Sequence, residues 1–366
     1  MKNDFEAQEL SLAQRKIILG LFLIPKFGFY TILKLFKIFQ DWEKIWNLSY
    51  IDLKNKGFSE KFIQQFVHHK NKTNLDKIWE IYKNIHLLTY FDKNYPFLLK
   101  QTYSPPLILF ARGNLELLKN KNLLSVIGSR KFSQYGKSIA QNFIKLIAEK
   151  NITIVSGLAI GIDSLAHIEA VNTKASTIAV LGSSINQIYP RSNLRLAEKI
   201  IQNGLLISEF PIGSQIRKEN FPKRNRIIAG LSQATLIIEA SQRSGTLITA
   251  QYALNENREV LAVPGSIFQN NSRGTNNLIR QGAKIITEIK DILEIYNITE
   301  NKEYTYPKLK NKNEKIIYDL LKNGPLNINK IISLSKIDPS IIISCLTQME
   351  LSGLIINIGN QNYQLK

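Results

Sequence analysis

The sequence holds a single cysteine, Cys345, so no internal disulfide can form. Its four histidines (His68, His69, His86 and His167) stand at no metal-ligand spacing, and no zinc site is expected. Long apolar runs are also missing. The longest, Ile17 to Ile24, ends at Pro25 and Lys26, well short of the roughly 20 residues that a bilayer span requires. The opening residues Met1-Lys2-Asn3-Asp4, with Glu6 close behind, do not resemble a signal peptide, and the expectation is a cytoplasmic protein with no membrane association. What is present is 44% hydrophobic and 21% charged residues over 366 positions, the composition of a soluble globular chain of two or three domains.

Acidic residues are in deficit: 48 Lys+Arg stand against 29 Asp+Glu, a net charge of +19. Such an excess suits phosphate neutralisation and the counterion release that drives nucleic-acid binding. A coding sequence biased toward A and T would also enrich lysine, asparagine and isoleucine without any function. The arginines separate the two readings. Of 12, 11 lie between Arg112 and Arg280, and compositional drift toward lysine does not concentrate the planar, phosphate-matching guanidinium in one segment.

Residues 1–85 read as short helices. Ile17, Ile18, Leu21 and Phe22, then Ile32, Leu33, Leu35, Phe36 and Phe39, recur at helical spacing about a Pro25-Lys26-Phe27-Gly28 turn, a pattern similar to SAM or helix-hairpin-helix domains. A helical packing domain without a ligand fits the same pattern. Pro105-Pro106 leads into an apolar run, Leu107 to Phe110. From Leu123 onward, continuous apolar runs alternate with amphipathic helices: 123–127, 153–155, 177–181, 205–207, 235–238, 260–263 and 284–286. Such strands are buried on both faces, which predicts an α/β core over 86–298 with a doubly wound, mostly parallel, Rossmann-like sheet. A polar linker (299–312) precedes a predicted winged-helix domain (313–366), whose helices at 314–321, 328–334 and 339–351 are followed by two short strands joined by Gly359-Asn360.

Ligands of doubly wound sheets lie beyond the carboxyl ends of the strands, and the polar, glycine-rich clusters fall there. Gly128-Ser129-Arg130 follows the first parallel strand, where a tight turn can aim amides and a helix start at an anion while Arg130 closes over it; a solvated arginine on a plain turn fits equally. Ser156 to Asp163 follows the second. Asp163, Ser164 and His167 share one short helix start with no nucleophile elbow, so Asp163 is expected as a helix cap and His167 as a packed residue. Lys218, Phe221, Arg224, Asn225 and Arg226 combine cations with an aromatic at a helix start, a recipe for single-stranded nucleic acid; Phe221 as a core residue beside a solvated basic face is the plainer alternative. Ser244-Gly245-Thr246 opens a further helix as an anion cradle.

On these residues the chain resembles the DprA/Smf family, the DNA-processing proteins of bacterial natural transformation. The matching stretches are Gly128-Ser129-Arg130, Ser156 to Asp163, Phe221 to Ser232, Ser244 to Ala250, Val263-Pro264-Gly265 and Gly274-Thr275-Asn276. The resemblance implies a Rossmann-like core that binds single-stranded DNA, dimerises and helps load the RecA recombinase. It implies no catalysis and no cofactor, and as DNA-binding residues it points to Gly128, Arg130, Lys218, Phe221, Arg224, Arg226 and the 244–246 cradle. Two departures stand out. Ser184 and Asn186 replace the second Gly and the Asp of the family's Gly-x-Gly-x-Asp, and Lys26 follows Pro25 where a Gly is common.

Two other classes compete. Nucleotide phosphoribohydrolases of the related LOG or lysine-decarboxylase-like group carry Pro-Gly-Gly-x-Gly-Thr-x-x-Glu, and here Thr249 stands where the Glu would be. A duplex-specific regulator would need cations on the helix at 339–351, which has no Lys or Arg, one acid (Glu350) and one base-reading amide (Gln348).

Overall fold

The computed structural model of the chain describes residues 9–173, 175–298, 309, 311–322 and 324–365. The described chain divides into two compact units, 1–299 and 300–366. The linker expected at 299–312 lies almost wholly outside the described residues.

In the first unit, six helices come first: α1 (Leu12–Phe22), α2 (Phe29–Phe39), α3 (Trp42–Asn47), α4 (Tyr50–Asn55), α5 (Glu60–Lys72) and α6 (Leu75–Tyr82). Ser11 caps α1 in a reciprocal capping box with Gln14, and Ser49, Ser59 and Asn74 cap α4, α5 and α6. The turn at Pro25 to Gly28 holds Lys26 at φ 66, in the left-handed region that glycine tolerates best. Phe36 stacks on Trp42 at 4.3 Å, and Phe91 packs 5.0 Å from Phe36. Arg15, the one arginine outside the basic middle, donates to Leu87 O at 3.0 Å and pairs with the buried Asp92, tying α1 to the first strand. These helices share one hydrophobic cluster with the sheet, so the segment 1–85 is not a separate core.

The sheet has nine strands: β1 (His86–Thr89), β2 (Ile108–Gly113), β3 (Leu123–Ile127), β4 (Thr153–Ser156), β5 (Thr177–Leu181), β6 (Leu205–Ser208), β7 (Ala234–Ile237), β8 (Glu259–Ala262) and β9 (Lys284–Ile285). Their spatial order is β1-β2-β6-β5-β4-β3-β7-β8-β9. The seven from β6 to β9 run parallel, in the register Leu124–Ala234 to Ile127–Ile237 between β3 and β7, and β1 and β2 add an antiparallel edge. Every residue of β3 to β7 is buried, as expected of strands covered on both faces. The short α7 (Phe97–Lys100) follows β1; α8 (Gln134–Ala148), α9 (Ile162–Asn172) and α10 (Leu194–Asn203) connect β3 to β6, and α11 (Asn220–Leu231), α12 (Thr246–Asn255), α13 (Arg273–Arg280) and α14 (Ile289–Leu293) complete the unit. The chain builds leftward from β3 through β6, then crosses to β7 on the other side of β3. That reversal opens a crevice at the carboxyl ends of β3 and β7.

The second unit orders α15 (Lys312–Leu321), β10 (Leu326–Asn327), α16 (Ile328–Ser335), α17 (Pro339–Leu351), β11 (Ile355–Asn357) and β12 (Asn362–Leu365) around its own core of Ile317, Leu321, Ile331, Leu346 and Met349. Its sheet order is β10-β12-β11, and Cys345 is buried there. Among the described residues, no helix is long and apolar enough to cross a membrane.

Candidate nucleic-acid interface

A cavity of about 600 Å³ occupies the crevice at the reversal point. It is built from the loops after β3, β4, β7 and β8, from one face of α11 between Phe221 and Ile228, and from the first turn of α12. Gly128 turns the chain out of β3 so tightly that a Cβ there would lie 2.7 Å from Ile162 Cγ1. Gly161, at φ 106, starts α9 where any side chain would collide with the carbonyl of Ser129. These approaches press the loops after β3 and β4 together.

Of the residues expected to bind, Gly128, Ser129, Arg130, Phe221, Arg224, Asn225, Ser244, Gly245 and Thr246 all line this one cavity. They occupy it differently. Arg130 is exposed and makes no hydrogen bond or ion pair with any described residue, so its guanidinium is available to an anion. Lys131 is equally unpaired at its side chain among the described residues, as are the exposed Arg243 on the loop after β7 and Arg273 at the start of α13. Phe221 is half-buried, its ring against Gly182 and tilted 45° to Tyr189 at 5.4 Å, and it lines the cavity. A small side pocket of about 70 Å³ between Tyr189, Phe221, Ile160 and Arg130 continues from there.

Arg224 departs from the expectation of a free cation. It is 3% exposed, donating to Gly157 O at 2.6 Å, to Val180 O, and through Nε to Asn225 Oδ1 at 3.1 Å. A Cβ on Gly157 would sit 2.6 Å from both Arg224 Nη2 and Asp163 Oδ2, which places the two charges next to each other over that glycine. Burial, opposed by Asp163 and reinforced by Arg130, lowers the Arg224 pKa to about 10; burial raises Asp163 to about 6 against the pull of Arg224 and the Gly157 amide. Arg224 thus ties the ends of β4 and β5 together. Arg226 likewise turns away, paired with Glu209 and donating to Ser104 O at 2.6 Å, and it does not line the cavity. Lys218 is exposed but stands outside the lining.

The cradle after β7 is partly self-satisfied. Ser244 Oγ donates to Thr246 Oγ1 at 2.9 Å and accepts from Thr246 N, and Thr246 Oγ1 donates to Gly128 O at 3.1 Å. Ser129 Oγ is held by Lys131 in the same way. The hydroxyls thus serve to fix the loops, while Arg130 stays exposed and unpaired among the described residues. Asp163 lies in the first turn of α9 and accepts from Gly157 N at 3.2 Å, while the cap position is Gly161. His167 Nδ1 bonds Thr177 Oγ1 at 2.7 Å, and burial drops its pKa to about 3, keeping the ring neutral. In the loop that departs from the family pattern, Ser184 Oγ bonds Asn186 Oδ1 at 2.9 Å and is buried.

Sequence reasoning missed Lys131, Asn270, Asn271 and the role of Glu239. Asn271 donates to Lys131 O at 2.7 Å and accepts from Ala240 N at 2.8 Å, joining two rims of the crevice. Glu239, fully buried, accepts from Ser133 N at 2.9 Å at the start of α8 and from Asn271 Nδ2 at 3.3 Å.

Residues 86–297, which carry this sheet and crevice, match the family of DNA recombination-mediator protein A. The chain belongs to this family. It is 42% identical over 226 residues to the DNA processing protein DprA of Bacillus subtilis, covering 62% of this chain and 75% of that one. It is 41% identical over 251 residues to Protein Smf of Escherichia coli, covering 67% of each. Among solved structures, DprA of Streptococcus pneumoniae superposes with a TM-score of 0.67 at 33% identity, over 78% of this chain and 98% of that one. DNA processing protein A of Helicobacter pylori, described for its single-stranded DNA binding mode, gives 0.53 at 29% identity, over 58% and 95%.

Proposed function

We propose that this member of the family binds single-stranded DNA in the crevice between β3 and β7 and acts without catalysis. The observation that carries the reading is the set of four exposed cations (Arg130, Lys131, Arg243 and Arg273), unpaired among the described residues, in and beside a cavity with Phe221 on its wall. Cations that follow a backbone beside an aromatic that stacks a base make up a sequence-tolerant site for single strands. The single-stranded DNA binding described for the Helicobacter pylori relative supports it. In this reading the strand is protected and passed to RecA, and a homodimer in the cytoplasm doubles the contact.

The second unit fits a winged helix in its order of elements, and the first 85 residues fit a SAM or helix-hairpin-helix module. With no cation on α17, the second unit serves protein contacts. A phosphoribohydrolase is the weaker reading: Thr249, where that chemistry needs a carboxylate, is buried, and the lining of the crevice has one acid, Asp163.

The test is fluorescence anisotropy of labelled oligo-dT beside a duplex of equal length across a salt series, for wild type and Arg130→Ala. The variant weakens single-strand binding on every sequence and flattens the log–log salt slope by about 0.7, the loss of one neutralised phosphate. Full affinity in Arg130→Ala would overturn the site.

A further inference from the structure

The loop between β8 and α13 carries two large apolar side chains that the crevice does not use. Ile267 is 72% and Phe268 88% exposed, although the loop around them is firmly held. Tyr135 Oη donates to Pro264 O at 2.8 Å, the Asn276 amide bonds both Gly265 N (3.1 Å) and Gly265 O (2.8 Å), and Gln269 N closes a turn onto Ser266 O at 3.0 Å. On the far side of that turn, Asn270 and Asn271 already line the crevice. An aromatic on a held loop that leads into the exposed Arg273, and that is tied through Asn271 to the Lys131 backbone at the cavity rim, has charge surroundings that suit a strand rather than an apolar protein contact.

We propose that Phe268, with Ile267 beside it, is a second stacking point for an unpaired base of the strand that occupies the crevice. The proposal rests on the single-strand reading above and extends it from one aromatic to two. Phe221 packs at the end of β5 and Phe268 follows β8, four strand spacings along the sheet, which at about 4.8 Å each is about 19 Å. At the stacked rise of about 3.4 Å per nucleotide that span holds five or six nucleotides. The binding site is therefore longer than the cavity: the strand runs across the carboxyl ends of β5, β4, β3, β7 and β8, with phosphates over Arg130 and Lys131 and a base at each end on an aromatic face. A strand too short to reach both aromatics engages only the Phe221 end.

The experiment measures the affinities of dT4 and dT15 for wild type, Phe268→Ala, Phe268→Tyr, Phe221→Ala and Arg130→Ala, with thermal melting and solution mass alongside. Phe268→Ala is expected to weaken dT15 about 5- to 100-fold, to leave dT4 within twofold, and to keep the wild-type melting temperature because the side chain packs against little; Phe268→Tyr restores dT15 binding. If Phe221→Ala and Arg130→Ala weaken dT15 while Phe268→Ala does not, the second stacking point is wrong and the crevice reading stands. An equal loss on dT4 and dT15 in Phe268→Ala also overturns it, because the side chain is then not a distal contact. A changed solution mass in Phe268→Ala would assign the loop to contacts between copies of this chain and overturn it as well. If neither Phe221→Ala nor Arg130→Ala affects binding, the crevice reading itself fails and takes this inference with it.

Discussion

Replacing Arg224 by alanine is expected to cost stability before it costs binding. The side chain sits 3% exposed, and its removal leaves the carbonyls of Gly157 and Val180 without their donor and the Asp163 carboxylate without its nearest cation. A buried polar group left unpaired costs about 1–3 kcal/mol, and breaking a buried charge arrangement from one side about 3–5 kcal/mol. These penalties overlap, so the expected loss is about 3–5 kcal/mol out of the roughly 5–15 kcal/mol typical of a domain. With an m-value of about 2–3 kcal/mol/M, the urea midpoint falls by about 1–2 M. Tryptophan fluorescence reads the right part of the molecule, because all three tryptophans (Trp42, Trp46 and Trp79) belong to the unit 1–299. Arg224→Lys restores a donor but not the planar fork that reaches two carbonyls, and it recovers part of the loss. A midpoint unchanged within about 0.3 M, together with lost oligonucleotide affinity, would refute this account and return Arg224 to the ligand.

Two further perturbations test the same frame. Asp163 has its pKa raised to about 6 in the folded chain, above its unfolded value of about 3.9, so the folded state takes up a proton first as pH falls. The cost of ionising it is fully present above pH 6 and is relieved between pH 6 and 4; from pH 7 to 5 wild type should gain stability relative to Asp163→Asn in urea titrations, and parallel pH profiles would contradict this. Lys26 holds a left-handed conformation in the turn before α2, and Lys26→Gly should gain about 0.5–1 kcal/mol, seen as a rise of about 1–4 °C in melting temperature; an unchanged or lower value would mean the turn carries no strain.

Much of this fold can be read in the chain because its parallel strands are short, mostly apolar and bracketed by glycine or polar loops. The runs at 123–127 and 177–181 coincide with β3 and β5, and the others differ from the observed strands by one or two residues. β1 escaped because His86 to Thr89 is a four-residue segment whose partner, β2, is the neighbour that gives it meaning. The loops that line the crevice were legible in the sequence, but the packing of their individual side chains was not. In Arg224-Asn225-Arg226 both arginines look alike to a compositional reading, yet Arg224, Ile227, Ile228 and Leu231 recur at helical spacing and share the buried face of α11. That periodicity was the available signal for the buried arginine. The partnering of Arg226 with Glu209 carries no such signal, since it depends on how β6 and α11 come together.

The stitching of the crevice rims has a kinetic consequence. Thr246 holds Gly128, Asn271 holds both Lys131 and Ala240, and Gly161 admits only a backbone at the end of the β3 loop. In the proposed site, rims tied by bonds of this kind present a strand with a surface already in its receiving shape. Encounter is then limited by diffusion and by the attraction of the cations, which makes the association rate fall with salt, while differences among sequences and variants fall chiefly on how long the strand stays.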